Sequence, residues 1–87
     1  MNYELEAKIF DLQIACNQYK VVNQLADWVL FAIKRYIYTG RASAAFVRAF
    51  LNFPTDCFHN LIQKCMDGDM SDDGIMKTTK QIIKEDT

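Results

Sequence analysis

The segment WVLFAIKRYIYTGRASAAFVRAFL, Trp28 to Leu51, decides the fold class. In its first half Val29, Ala32, Ile33 and Tyr36 continue an apolar stripe begun by Val22 and Leu25, at the three- and four-residue spacing of one helix face, which predicts a long helix over about residues 20–38. Gly40 stands where a helix C-cap favours a positive φ. Ser43 then offers a hydroxyl to an unsatisfied backbone N–H, the N-cap of a helix carrying Phe46, Val47, Phe50 and Leu51 on one side.

The same grammar extends both ways. Leu5, Ile9, Leu12 and Cys16 mark a first helix over about 3–17, with Asn17 as its terminator. Pro54, with Thr55 and Asp56 beside it, suits a first helical turn, and a fourth helix follows with Phe58, Leu61, Ile62 and Cys65 inward and Asp67–Asp69 at its end. Ser71 caps a fifth, whose first turn holds Asp72 and Asp73 at the positive end of the helix dipole and whose inner stripe is Ile75, Met76, Thr79, Ile82 and Ile83. No segment alternates with period two long enough for a sheet. The expectation is a single all-α domain over residues 1–87, a small bundle of four or five short helices.

A chain of 87 residues buries roughly 60–65% of the surface it exposes when unfolded, yet 51% of its residues are hydrophobic and 13% aromatic. On the second helix Leu30, Phe31, Ile37 and Tyr38 widen the stripe beyond the roughly 100° of an ordinary amphipathic helix. Trp28, Leu30, Phe31 and Ile37 are therefore expected at an interface between copies, in a homo-oligomer of two or more chains. The apolar run Trp28–Ile33 is far short of the roughly 20 residues that cross a bilayer, and MNYELEAK lacks the basic-then-apolar pattern of a secretory signal. Neither a membrane span nor a leader is expected. Cys16, Cys57 and Cys65 are odd in number and lie at helical apolar positions, which suits reduced thiols rather than a disulfide framework.

Several chemistries fail on spacing. With Asp67 as the first position of a calcium loop, the sixth is Asp72 where glycine belongs and the twelfth is Thr78 where a bidentate glutamate belongs. His59 is the only histidine, and Cys57 and Cys65 stand two and six residues away, off its helical face. There is no glycine-rich phosphate loop and no nucleophile elbow. No catalytic residue, metal or cofactor is expected.

Charge is distributed unevenly. From Lys20 to Arg48 five cations stand against Asp27 alone, whereas three acids face one lysine before that block and seven acids face four lysines after it. Lys34, Arg35, Arg41 and Arg48 gather around the Gly40 turn, with Tyr36, Tyr38 and Phe46 interleaved. Guanidinium forks and free N–H groups both donate to phosphate oxygens, so these seven residues form the expected ligand site, for an anion such as a nucleotide. Two helices joined by a short turn also outline a helix-turn-helix. As a recognition helix, however, SAAFVRAFL offers only Ser43 and Arg48 to base edges, and the domain is not basic overall, which places DNA behind the nucleotide.

At AIKRYIYTGRASAAFVRAFLNF the chain resembles a family of small helical proteins of tailed phages and prophages, through Arg35, Tyr36, Ile37, Gly40, Phe46, Val47, Ala49, Leu51 and Asn52. The likeness continues through DMSDD, Asp69–Asp73, towards Ile83; it departs at the turn, where the family carries prolines and this chain has RASAA. The resemblance implies a phage gene product acting in the host bacterial cytoplasm. The expected function is thus that of a non-catalytic binding protein, one that blocks a host process or defence system by occupying a host protein or sequestering an anionic nucleotide signal. A helix-turn-helix DNA-binding regulator is the first alternative and a phage structural or assembly component the second.

Overall fold

The computed structural model describes residues 3–18 and 23–84 and places in them five α-helices and no strand: α1 (Tyr3–Gln18), α2 (Asn23–Tyr38), α3 (Ala44–Asn52), α4 (Phe58–Asp67) and α5 (Asp72–Ile83). The all-α reading holds. The expected start of the second helix at 20–22, Val22 included, lies outside the described residues. Asn17 does not stop α1, which runs one residue further. A 3-10 turn, Thr55–Cys57, stands where the fourth helix was expected to open; Pro54 precedes it with extended ψ, and its carbonyl accepts from Cys57 N–H at 3.0 Å.

The stops and starts obey local chemistry. After α2 the Arg41 N–H donates to the Tyr36 carbonyl and the Gly40 N–H to the Ile37 carbonyl, the paired bonds of a Schellman stop, with Gly40 at φ 78°. Ser43 Oγ accepts from Phe46 N–H at 3.0 Å and opens α3. Ser71 Oγ accepts from Gly74 N–H at 3.2 Å and opens α5. Each serine satisfies one of the N–H groups that a helix start leaves without an intrahelical partner.

Every helix contributes to one core, in which Leu5, Leu12, Ile33, Phe46, Phe50, Phe58, Leu61, Ile62 and Ile75 are fully buried. α1 packs on α2 and α4, α5 packs on α2 and α4, and α3 touches α1 and α5. The Lys8 ammonium is drawn inward to donate to the Phe53 carbonyl at the C-cap of α3, where a cation also meets the negative end of the helix dipole. Burial holds that amine below its ordinary pKa, with Asp11 opposing the shift.

α2 is flanked by α1 on one side and α5 on the other, and that corrects part of the expected interface. Leu30 is 2% exposed, in the core of its own chain, and Ile37 is half-buried against that core. Leu30 stands one turn from Lys34 and three residues from Asp27, the α2 residues that reach α1, so α1 closes over it. Trp28 and Phe31 remain outside, 57% and 59% exposed.

Candidate functional site

The C-terminal half of α2 and the length of α5 form an open cleft of about 970 Å3. Arg35, Tyr36 and Arg41 line one wall, Asp73, Lys77 and Lys80 the other, and the buried Ala32 and Met76 lie at its apolar base. Helical spacing puts these residues there. Ala32, Arg35, Tyr36 and Thr39 recur at three and four along α2, as do Asp73, Met76, Lys77 and Lys80 along α5.

Arg35 Nη1 lies 2.9 Å from Asp72 Oδ2, bridging the two walls, and its guanidinium rests 4.8 Å from the Phe31 ring centroid. Lys80 Nζ sits 4.6 Å from the centroid of Tyr36, whose ring meets Phe46 edge-on at 5.4 Å. Four cations (Arg35, Arg41, Lys77, Lys80) and two acids (Asp72, Asp73) line the space. Once Arg35 and Asp72 have neutralised each other, Arg41, Lys77 and Lys80 face Asp73 alone among the described lining residues. Among the described residues the ion pairs are Lys34–Glu6 and Arg35–Asp72.

Of the seven expected ligand residues, the fold brings Arg35, Tyr36 and Arg41 to the cleft and takes four elsewhere. Lys34 and Tyr38, one turn apart, face α1 instead: Lys34 Nζ lies 3.5 Å from the Glu6 carboxylate and Tyr38 donates to it at 2.9 Å. Accepting that bond, Glu6 holds the Tyr38 phenol above its ordinary pKa. Phe46 is fully buried beneath Tyr36, parallel to Phe50, so it supports the site without offering a stacking face. Arg48 is exposed on α3, away from the cleft lining. On the helix-turn-helix outline, the Ser43 hydroxyl is engaged as a cap and the exposed side of α3 carries Ala44, Arg48 and Asn52.

Lys77 and Lys80 stand outside the expected set. Their signal lies in the sequence, since Asp73, Lys77, Lys80 and Lys84 recur at helical spacing on the polar side of α5, but in a tail whose net charge is acidic the lysines pass for solvent-facing counter-charges. The acids around Ser71 have structural partners: Asp69 accepts from both the backbone N–H and the hydroxyl of Ser71 at 2.9 Å, and Asp72 holds Arg35. Those two bonds to Asp69, the backbone one foremost, pull its carboxyl below the ordinary carboxylate value. His59 Nδ1 lies 3.0 Å from the Asp56 carbonyl. Cys16 and Cys65 are buried thiols, pushed up to about 11 by burial, and Cys57 is half-exposed. Among the described residues no group of three His, Cys, Asp or Glu side chains gathers as a metal site, and no helix is long and apolar enough to cross a membrane.

Set against protein families, curated proteins and solved structures, the chain matches none.

Proposed function

We propose that this chain is a non-catalytic binding protein whose α2–α5 cleft takes a small phosphate-bearing anion, with a nucleotide as the class that uses both its cations and its aromatic wall. One observation carries the proposal: Arg41, Lys77 and Lys80 converge on a single concavity beside Tyr36, with Asp73 as the one acid of its described lining not already paired. Its size lies at the upper end of the roughly 300–1,000 Å3 typical of small-molecule sites. Arg35 adds a fourth cation on demand. Its bond to Asp72 is between two exposed groups, a class of pair worth about 0–1 kcal/mol, so a phosphate that accepts from the guanidinium fork displaces the carboxylate at small cost.

The resemblance to small phage proteins supplies the setting. In that setting the protein acts in the host bacterial cytoplasm and withholds a nucleotide signal from a host process or defence system. Isothermal titration calorimetry with inorganic phosphate, linear nucleotides and cyclic nucleotides tests the proposal. The expected result is heat with at least one nucleotide, weakening with salt, and lost in R41E/K80E. No heat with any of these ligands overturns it.

A further inference from the structure

α1 is apolar on two opposite faces. Leu5, Ile9, Leu12 and Cys16 enter the core, whereas Tyr3, Ala7, Phe10 and Ile14, spaced four, three and four residues apart, run along the other side. The large residues of that outer stripe are open to solvent: Tyr3 is 86% exposed, Phe10 62% and Ile14 42%. Its neighbour α2 bares Trp28, Phe31 and Tyr38. The Glu6–Tyr38 and Gln13–Asp27 bonds fix the two helices antiparallel, which sets Tyr3 level with Tyr38, Phe10 with Phe31 and Ile14 with Trp28. Both helices lie on α4, and both bare stripes turn away from the shared core.

We infer that this α1–α2 face docks a second copy of the chain, about a twofold axis parallel to the two helices, so that α1 of each copy lies on α2 of the other. The twofold carries each level onto itself, stacking Tyr3 on Tyr38, Phe10 on Phe31 and Ile14 on Trp28 across the contact. Like charge disfavours the alternative. α1 bears Glu4 and Asp11 with no ion pair among the described residues, Glu6 being held by Lys34 and its one lysine turned inward to Phe53, while on α2 Lys34 and Arg35 are engaged with Glu6 and Asp72 of their own chain. The swap sets the two α1 helices diagonally apart and keeps those carboxylates from one another. A twofold perpendicular to the helices would lay α1 on α1 and set Glu4 and Asp11 of one copy against Glu4 and Asp11 of the other. At the areas typical of such side chains the five exposed aromatics present about 600 Å2, so a pair of copies that covers them fully buries about 1,200 Å2, the lower edge of the range of specific interfaces.

Sedimentation equilibrium from low micromolar to several hundred micromolar tests the inference. The wild-type chain is expected to reach twice its 10.1 kDa. F10K and F31K, both at exposed positions and checked for native helicity by circular dichroism, are expected to weaken self-association at least about 30-fold, the loss of one hot-spot side chain. M66K, at an exposed site on α4, is expected to leave it unchanged. To fix the orientation, chains carrying F10C and F31C in a C57S background are expected to form a disulfide when mixed and none when oxidised separately. A monomer at the highest concentration, a dimer indifferent to F10K and F31K, or an F10C chain that cross-links to itself each overturns the proposal.

Discussion

Gly74 and Thr79 show what single atoms decide in α5. Gly74 sits in the first turn, where alanine would ordinarily add about 1 kcal/mol of helix propensity. Here a Cβ would collide with the carbonyl and side chain of Asp69, whose carboxylate is held by Ser71. G74A is therefore expected to lose about 1–3 kcal/mol rather than gain, read as a lower midpoint in urea denaturation. Thr79 carries the opposite lesson. Its hydroxyl is fully buried and, among the described residues, makes no hydrogen bond. Cys65 lies beside it, and thiols are weak partners. T79V keeps the shape and removes the desolvation cost, so a gain of about 1 kcal/mol is expected, a rise in Tm of roughly 4–8 °C for a domain of this size. An unchanged or lower Tm would show that the hydroxyl has a partner.

At the scale of elements, the turn between α4 and α5 is held by the Asp69–Ser71–Gly74 chain of bonds, and by Trp28, whose Nε1 donates to the Met70 carbonyl at 3.3 Å. S71A removes the cap of α5 and is expected to cost about 1 kcal/mol in thermal unfolding. The same cluster sets an acid limit. Because the folded Asp69 pKa lies below the unfolded 3.8, its contribution is present above that value and is lost as pH falls further. D69N is expected to remove that part of the acid-side loss; S71A only reduces it, since the backbone N–H of residue 71 remains. Circular dichroism melts between pH 2 and 6 decide this, and identical acid limbs for wild type and D69N would refute it.

For the whole molecule, the alkaline limit comes from the core. Cys16 on α1 and Cys65 on α4 are thiols raised from 9.0 to about 11 by burial. The unfolded chain ionises them first, so their contribution is intact below pH 9 and is lost progressively as pH rises from 9 to about 11. Urea midpoints across pH 8–11 should fall over that window and flatten in C16A/C65A. At pH 8, Ellman's reagent should find Cys57 readily in the native protein, and all three thiols only after unfolding.

The helices were legible because their causes are local. Apolar spacing, the serine caps and Gly40 act within a turn of the residues they govern, and the structure places α3, α5 and the stop of α2 where those signals point. The cleft was half legible. Arg35, Tyr36 and Arg41 lie on one helix and the turn after it, while Lys77 and Lys80 arrive from about forty residues away on α5. Whether a cation near Gly40 faces α1 or α5 depends on which neighbour lies on which side of α2, and a linear pattern contains no such term.

By itself, then, the sequence determined an all-α bundle of four or five helices and the inner stripe of each, since backbone hydrogen bonding and side-chain periodicity are near-neighbour effects. Only the tertiary structure decided which polar groups meet. Packing α1 against one side of α2 removed Lys34, Tyr38 and Leu30 from the expected surfaces, and packing α5 against the other built a cation-lined cleft from residues that share no stretch of chain.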